Sequence, residues 1–173
     1  MNYDICHSSI TYFPLLPLSK TASFERKVLD IRQMPAQVLF PHWDDEFEFI
    51  YVLSGMMEVR VRQKAFLVSS GEGFFLNTGE IHPACAYQSY DCRFVIYRIC
   101  PSVLFQTEDN PLYQKYIKPM VDHPSFGFLT FVPKVPWQKY ILEMTRKMND
   151  ICECPVDGYE LKINHCINEI FYY

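Results

Sequence analysis

Four side chains set the chemical question. His42, Asp44 and Glu48 fall within "PHWDDEFEFIYVLSG", Pro41 to Gly55, and His82 closes a second stretch, "GEGFFLNTGEIH", Gly71 to His82. The first three share even numbering, so on an extended chain they point to one side. Two imidazoles and two carboxylates are N and O donors of the kind that hold iron, manganese, nickel or zinc. The same groups serve equally as hydrogen-bond partners of a polar ligand. Their surroundings are apolar, since Phe47, Phe49, Ile50, Tyr51, Val52 and Leu53 all read as core. A buried carboxylate without a partner is costly, so Glu48 is expected to face a cavity where a ligand, a water or an ion meets it. Asp45, of opposite parity, is expected to face solvent, and Glu46 lies at the mouth.

The elements that hold these groups read as short strands between residues 24 and 100. "FERKVLDIRQ" and "AQVLFPHWD" come first, and "EFEFIYVLS" runs up to a turn at Gly55. "MEVRVRQKAFLVSS" alternates with period 2: Met57, Val59 and Val61 on a dry face, Glu58, Arg60 and Arg62 on a wet one. Gly71 and Gly79 permit tight turns around "FFL" and "NTGEIHP". "CAYQSY" and "CRFVIYRIC" complete a set spaced as in a sandwich or barrel. On the last strand Tyr97 and Arg93 share a parity and Arg98 has the other. An inward ring would stack on a sugar and an inward guanidinium would grip an anion. That makes Tyr97 and Arg93 further candidates for the ligand site, although the face that is interior stays open.

Beyond residue 100 the character changes. Prolines at 101, 111, 119, 124, 133 and 136 keep any helix there short, with "NPLYQKYIKP" the best placed. Trp137, Tyr140, Ile141, Met144, Met148 and Ile151 then recur at helical spacing, and read as core. A last helix from near Gly158 carries Ile163, Cys166, Ile167, Ile170 and Phe171. It runs into Tyr173 without a terminal cap, which leads us to expect a longer protein.

Charge and cysteine use exclude several classes. Residues 1–100 hold 9 Lys and Arg against 11 Asp and Glu, and residues 101–173 hold 7 against 9, so each part is at −2. Nothing basic is available to neutralise phosphates, so this chain alone is not expected to bind DNA. Seven scattered cysteines fit reduced thiols better than a disulfide framework. No run approaches the roughly 18 apolar residues of a membrane span. A soluble, cytoplasmic protein with no membrane partner is expected.

The two stretches together resemble the paired motifs of the cupins. His42, Glu48 and Gly55 match the first motif, with Asp44 where a second His is usual; Gly71, Gly79 and His82 match the second, with Asn77 in place of a Pro. Within that group, "EFIYVLSG", "NTGEIHP" and "DGYELKINHCINEIF" resemble the N-terminal effector-binding domain of AraC-type transcription regulators over most of residues 24–173.

The resemblance implies a mainly β fold with C-terminal helices: a cupin jelly-roll barrel (double-stranded β-helix) followed by an α-helical appendage. It places a barrel with an N-terminal arm at 1–105, helices including a dimerisation helix at 106–173, and a helix-turn-helix region after 173, absent from this chain. It implies a sensor, not an enzyme, that takes a small polar effector such as a sugar, forms a homodimer, and reaches DNA only through the missing part. The ligand would meet His42, Asp44, Glu48, His82, Tyr97 and Arg93, and the dimer would use Ile163, Ile167, Ile170 and Phe171. No catalytic residue and no cofactor is expected. The residues leave open a divalent metal on His42, Glu48 and His82, as in a metal-dependent cupin dioxygenase or isomerase, and also a ligand-free dimerisation module. Residues 1–23, with "YFPLLPL", would fold over the barrel mouth as a lid, or be an ordinary edge strand or a disordered tail.

Overall fold

β-Branched and aromatic residues dominate the stretches that become strands, as a pleated and mostly buried surface requires. The computed structural model describes residues 10–13, 24–89, 91–105, 107–123 and 125–173. Its strands are β1 (Ile10–Phe13), β2 (Phe24–Asp30), β3 (Val38–Leu39), β4 (Phe47–Val61), β5 (Lys64–Ser69), β6 (Gly73–Leu76), β7 (Ala84–Ala86), β8 (Cys92–Ile99) and β9 (Phe128–Phe131). Every pairing is antiparallel. The main path runs β1-β2-β8-β4-β6-β9, while β3, β7 and β5 gather on the far half of β4.

β4 is the hub because it belongs to both groups. Phe47 to Gly55 pairs with β8, and Met56 to Val61 pairs with β5. Between them the register shifts across Val52 and Ser54. Gly55 sits at φ +80, and a Cβ there would stand 1.4 Å from the Asp91 carbonyl oxygen. The turn expected at Gly55 is therefore a corner in one continuous strand. The predicted hairpin is present beyond it, with Val59 and Val61 buried and Arg60 and Arg62 exposed.

The main sheet is covered on both faces. Ile50, Val52, Met57, Val59, Phe74, Leu76, Phe94 and Ile96 pack together inside the barrel. Residues of the other parity, including Phe47, Phe49, Phe75, Val95, Tyr97 and Ile99, form a second core against the helices. This is the cupin-type jelly-roll barrel with C-terminal helices.

A π-helical turn at Tyr113–Ile117 leads into α1 (Lys118–Val121), where a short helix was expected. α2 (Pro136–Glu153) opens on a proline whose missing N–H costs nothing at that position. Its buried line is Ile141, Leu142, Thr145, Met148 and Cys152, rotated from the predicted stripe so that Trp137 lies at the exposed edge. α3 (Tyr159–Tyr172) buries Ile163, Cys166, Ile167 and Ile170.

Two expectations need correction. The barrel does not stop at 105: β9 pairs with β6 from Gly73↔Phe131 to Leu76↔Phe128, so the stretch assigned to the helical appendage supplies a sheet strand. Ile163, Ile167 and Ile170 are at most 3% exposed within a single chain, which removes them as a dimer surface. Phe171 likewise turns inward, with its ring 5.4 Å from Phe47 and 5.7 Å from Phe49. The lid reading of residues 1–23 lies outside the described residues except at β1, whose backbone is an edge strand beside β2. All six described cysteines are free. Among the described residues no helix is long and apolar enough to cross a membrane.

Candidate functional site

Strand parity builds one wall of the site. Register aligns Glu25 of β2 with Arg98 of β8, and Arg98 with Glu48 of β4, making a cross-strand row. Glu48 shares the parity of Ile50 and Val52, so it points into the barrel at the edge of that core. Two loops supply the rest. The chain before β4 is held to the chain before β7 by His82 N–H to the His42 carbonyl at 3.2 Å and Gly79 N–H to the Asp44 carbonyl at 2.8 Å. Those bonds bring both imidazoles over the row, with ring centres 4.2 Å apart.

Asn77, the departure from the second motif, anchors this arrangement from behind. Its amide donates to the carbonyls of Met120 and Phe126, both at 2.7 Å, and its own oxygen accepts from Thr78 N–H at 2.9 Å. A proline would offer none of these bonds. The substitution ties the His82 turn to α1 and to the segment that follows it.

Each imidazole has a fixed tautomer. His42 Nδ1 lies 2.9 Å from the Phe40 carbonyl and His82 Nδ1 lies 3.0 Å from the Glu80 carbonyl. A carbonyl only accepts, so Nδ1 carries the proton, and a neutral ring turns the Nε2 lone pair toward the site. His82 Nε2 is 3.0 Å from Glu48 Oε2, and His42 Nε2 is 4.0 Å from Glu48 Oε1 and 3.8 Å from Asp44 Oδ2. The approaches are close, yet His42 Nε2, His82 Nε2 and Glu48 Oε2 are buried without a hydrogen-bond partner, while Asp44 Oδ2 meets only the Arg98 guanidinium. Leaving such atoms dry costs about 1–3 kcal/mol each, so their convergence on one point marks a place for something that donates.

Arg98 is the site residue the sequence did not single out. Its Nε donates to Glu48 Oε1 at 3.0 Å, and its two terminal nitrogens lie 3.0 Å from Asp44 Oδ2 and 3.4 Å from Glu25 Oε2. Asp44, where the motif has His, thus turns its carboxylate to a guanidinium. Burial would raise the Glu48 carboxyl, but Arg98 and a protonated His82, whose Nε2 then donates, outweigh it and hold its pKa at about 2. Asp44 is pushed the other way, raised by burial and by the nearby Glu48 charge despite Arg98. Glu25 also meets Lys27 Nζ at 3.0 Å.

The structure brings His42, Asp44, Glu48 and His82 together and leaves Tyr97 and Arg93 out. Tyr97 has the opposite parity to Arg98: it is 0% exposed in the helix-side core, and its hydroxyl donates to the Thr145 carbonyl at 3.1 Å. Arg93 is exposed on that same outer parity. Asp45 faces solvent as expected, and Glu46 is half-buried.

His42, Glu48 and His82 each offer one ligand atom, and the three atoms lie within 4.8 Å of one another. Two Nε2 lone pairs and an unpartnered carboxylate oxygen are the donor set a divalent ion takes, and the Nδ1 bonds to carbonyls supply the orienting outer partners such ligands use. The residues fit a metal ion, with Arg98 as the one cationic neighbour inside the cluster.

A family model, the AraC-like ligand binding domain, matches residues 29–127. The chain belongs to that family. The AraC-like match contains four of the site residues on loops and strands, His42, Asp44, Glu48 and His82, and Arg98 as well. An uncharacterized HTH-type transcriptional regulator of Bacillus subtilis (strain 168), YdeC, is 27% identical over 122 residues. That alignment takes in 70% of this chain and 41% of the regulator, so the chain spans about two fifths of the relative's length.

Solved structures similar to this AraC-like domain include a cupin-2 domain containing protein from Shewanella frigidimarina, at 17% identity and TM-score 0.38 over 54% of this chain and 81% of that one. The Cnp3 cupin domain of Schizosaccharomyces pombe matches at 15% identity and TM-score 0.42 over 53% and 63%. Hydroxypropylphosphonic acid epoxidase from S. wedmorenis matches at 18% identity and TM-score 0.38 over 44% and 43%.

Proposed function

We propose that this domain senses a small polar effector and passes its presence to a DNA-binding part beyond this chain. The observation that carries the reading is the set of three buried polar atoms without a hydrogen-bond partner on His42, Glu48 and His82, beside the Asp44–Arg98 ion pair. A hydroxyl-rich ligand such as a sugar supplies the missing donors and accepts from Arg98. A ligand shifts a regulator only by binding two states unequally. The protein acts in the cytoplasm and binds its ligand without transforming it. Its homodimer uses the outward strip of α3, Leu161, His165, Asn168 and Tyr172, all of them exposed.

Calorimetry against a panel of sugars and small polar metabolites tests the sensor. Heat from a panel member, reduced at least about tenfold in affinity by Glu48→Gln, is the expected result. A silent panel overturns the reading in favour of a module that only dimerises.

A second reading rests on the orientation of the imidazoles. His42, Glu48 and His82 would hold a divalent ion, which when bound supplies Lewis-acid chemistry. The carbonyls of Phe40 and Glu80 orient the two rings for it. Stoichiometric iron, manganese, nickel or zinc in the purified protein favours this reading.

A further inference from the structure

We propose that Arg98 is the resident cation of the His42–Glu48–His82 cluster and decides its selectivity, keeping divalent ions out unless they outcompete a guanidinium. The inference rests on the second reading above, that the three residues have the geometry to hold an ion.

The charges near the site come from a short set of groups. Glu25, Asp44 and Glu48 contribute three negative charges, and Arg98 and Lys27 two positive ones. Of the two cations only Arg98 reaches Glu48 and Asp44. Its Nε takes Glu48 Oε1, the same oxygen that faces His42 Nε2 at 4.0 Å. An ion shared by His42 and Glu48 therefore has to take that oxygen from Arg98 or lie beside a full positive charge. In a half-buried setting such repulsion is several-fold stronger than in water.

Arg98 is also held from the other side. Glu25 pairs with it across the strands and lies 3.4 Å from its second terminal nitrogen. A planar guanidinium spans three carboxylates at once, which a compact ammonium does not. The fork fits its surroundings, and Glu48 Oε2 and the two imidazole Nε2 atoms are left without hydrogen-bond partners. The arrangement is that of a ligand triad with one coordination arm already occupied by the protein's own cation.

The test titrates zinc and manganese into the metal-stripped chain by calorimetry, comparing wild type, Arg98→Gln and Arg98→Lys. Arg98→Gln is expected to bind zinc at least about tenfold more tightly than wild type, one ion per chain. Adding His82→Ala to Arg98→Gln removes the gain. Arg98→Lys falls between, tighter than wild type by about threefold, because the charge stays while its grip on Glu48 weakens. It carries the test alone if circular dichroism shows that Arg98→Gln does not fold. Wild type binding zinc as tightly as the variants overturns the role of Arg98 and leaves the triad standing. No binding by any variant removes the triad as an ion site, and the inference with it.

Discussion

The two faces of the main sheet each hold an arginine, buried on the outer face and half-buried on the inner, and they use it differently. On the inner face Arg98 meets Glu48, Asp44 and Glu25, so acceptors outnumber the donor, and two imidazole nitrogens add to the excess. On the outer face Arg26, 3% exposed, reaches α2, where it donates to Asn149 at 2.7 Å and pairs with Glu153, a carboxylate 52% exposed. The outer arginine fastens a helix to the barrel through one terminal nitrogen, while its buried Nε has no hydrogen-bond partner. The inner one sits among groups with bonding capacity to spare. Burial of a charged residue therefore does not by itself identify a site; a convergence of spare acceptors from several residues does.

The comparison breaks most visibly at the outer core. Phe49 is 4% exposed and touches the rings of Phe75, Phe131 and Phe171. Phe49→Ala is expected to cost about 3–5 kcal/mol in urea unfolding. Ligand affinity of the folded fraction stays unchanged, since Glu48 and Ile50 lie on the other face. A parallel loss of affinity would show that the two faces are not separable.

Arg26→Met tests the outer arginine. It removes the bonds to Asn149 and Glu153 but strands no buried carboxylate, so a loss of about 1–3 kcal/mol is expected. Zinc affinity stays at the wild-type value, in contrast to the Arg98 variants. A change in ion binding on the Arg98 scale would erase the distinction drawn here.

Leu161→Glu has the smallest expected effect on the single chain. Leu161 is 74% exposed, so stability changes by no more than about 0.5 kcal/mol. Sedimentation is expected to show a weakened dimer. An unchanged dimer would exclude the outward strip of α3.

What could be read from the sequence follows the same division. His42, Glu48, Gly55, Gly71, Gly79 and His82 were legible because their spacing is that of a known paired motif. Arg98 was not, because β8 is covered on both sides: Phe94 and Ile96 on one parity and Val95 and Tyr97 on the other are all buried. With no polar face to mark the outside, the strand offered no way to choose between Tyr97 and Arg98. The α3 isoleucines were correctly seen as an apolar stripe, but a stripe does not say whether its cover is α2 or a second chain. β9 was missed because "FLTF" is four residues long and lies among prolines, too short to display a period.

One strand, β4, forms a wall of both sheets and bends at Gly55 without an intervening loop. A slip of one residue along its first half would turn Glu48 toward α2 and Phe49 toward the histidines. No slack segment exists between the halves to confine that error, so it would also misalign Met57 and Val59 against β7. Fidelity of ligand recognition and fidelity of folding are thus the same requirement in this molecule, pinned at a bend where the neighbouring carbonyl leaves room only for hydrogen.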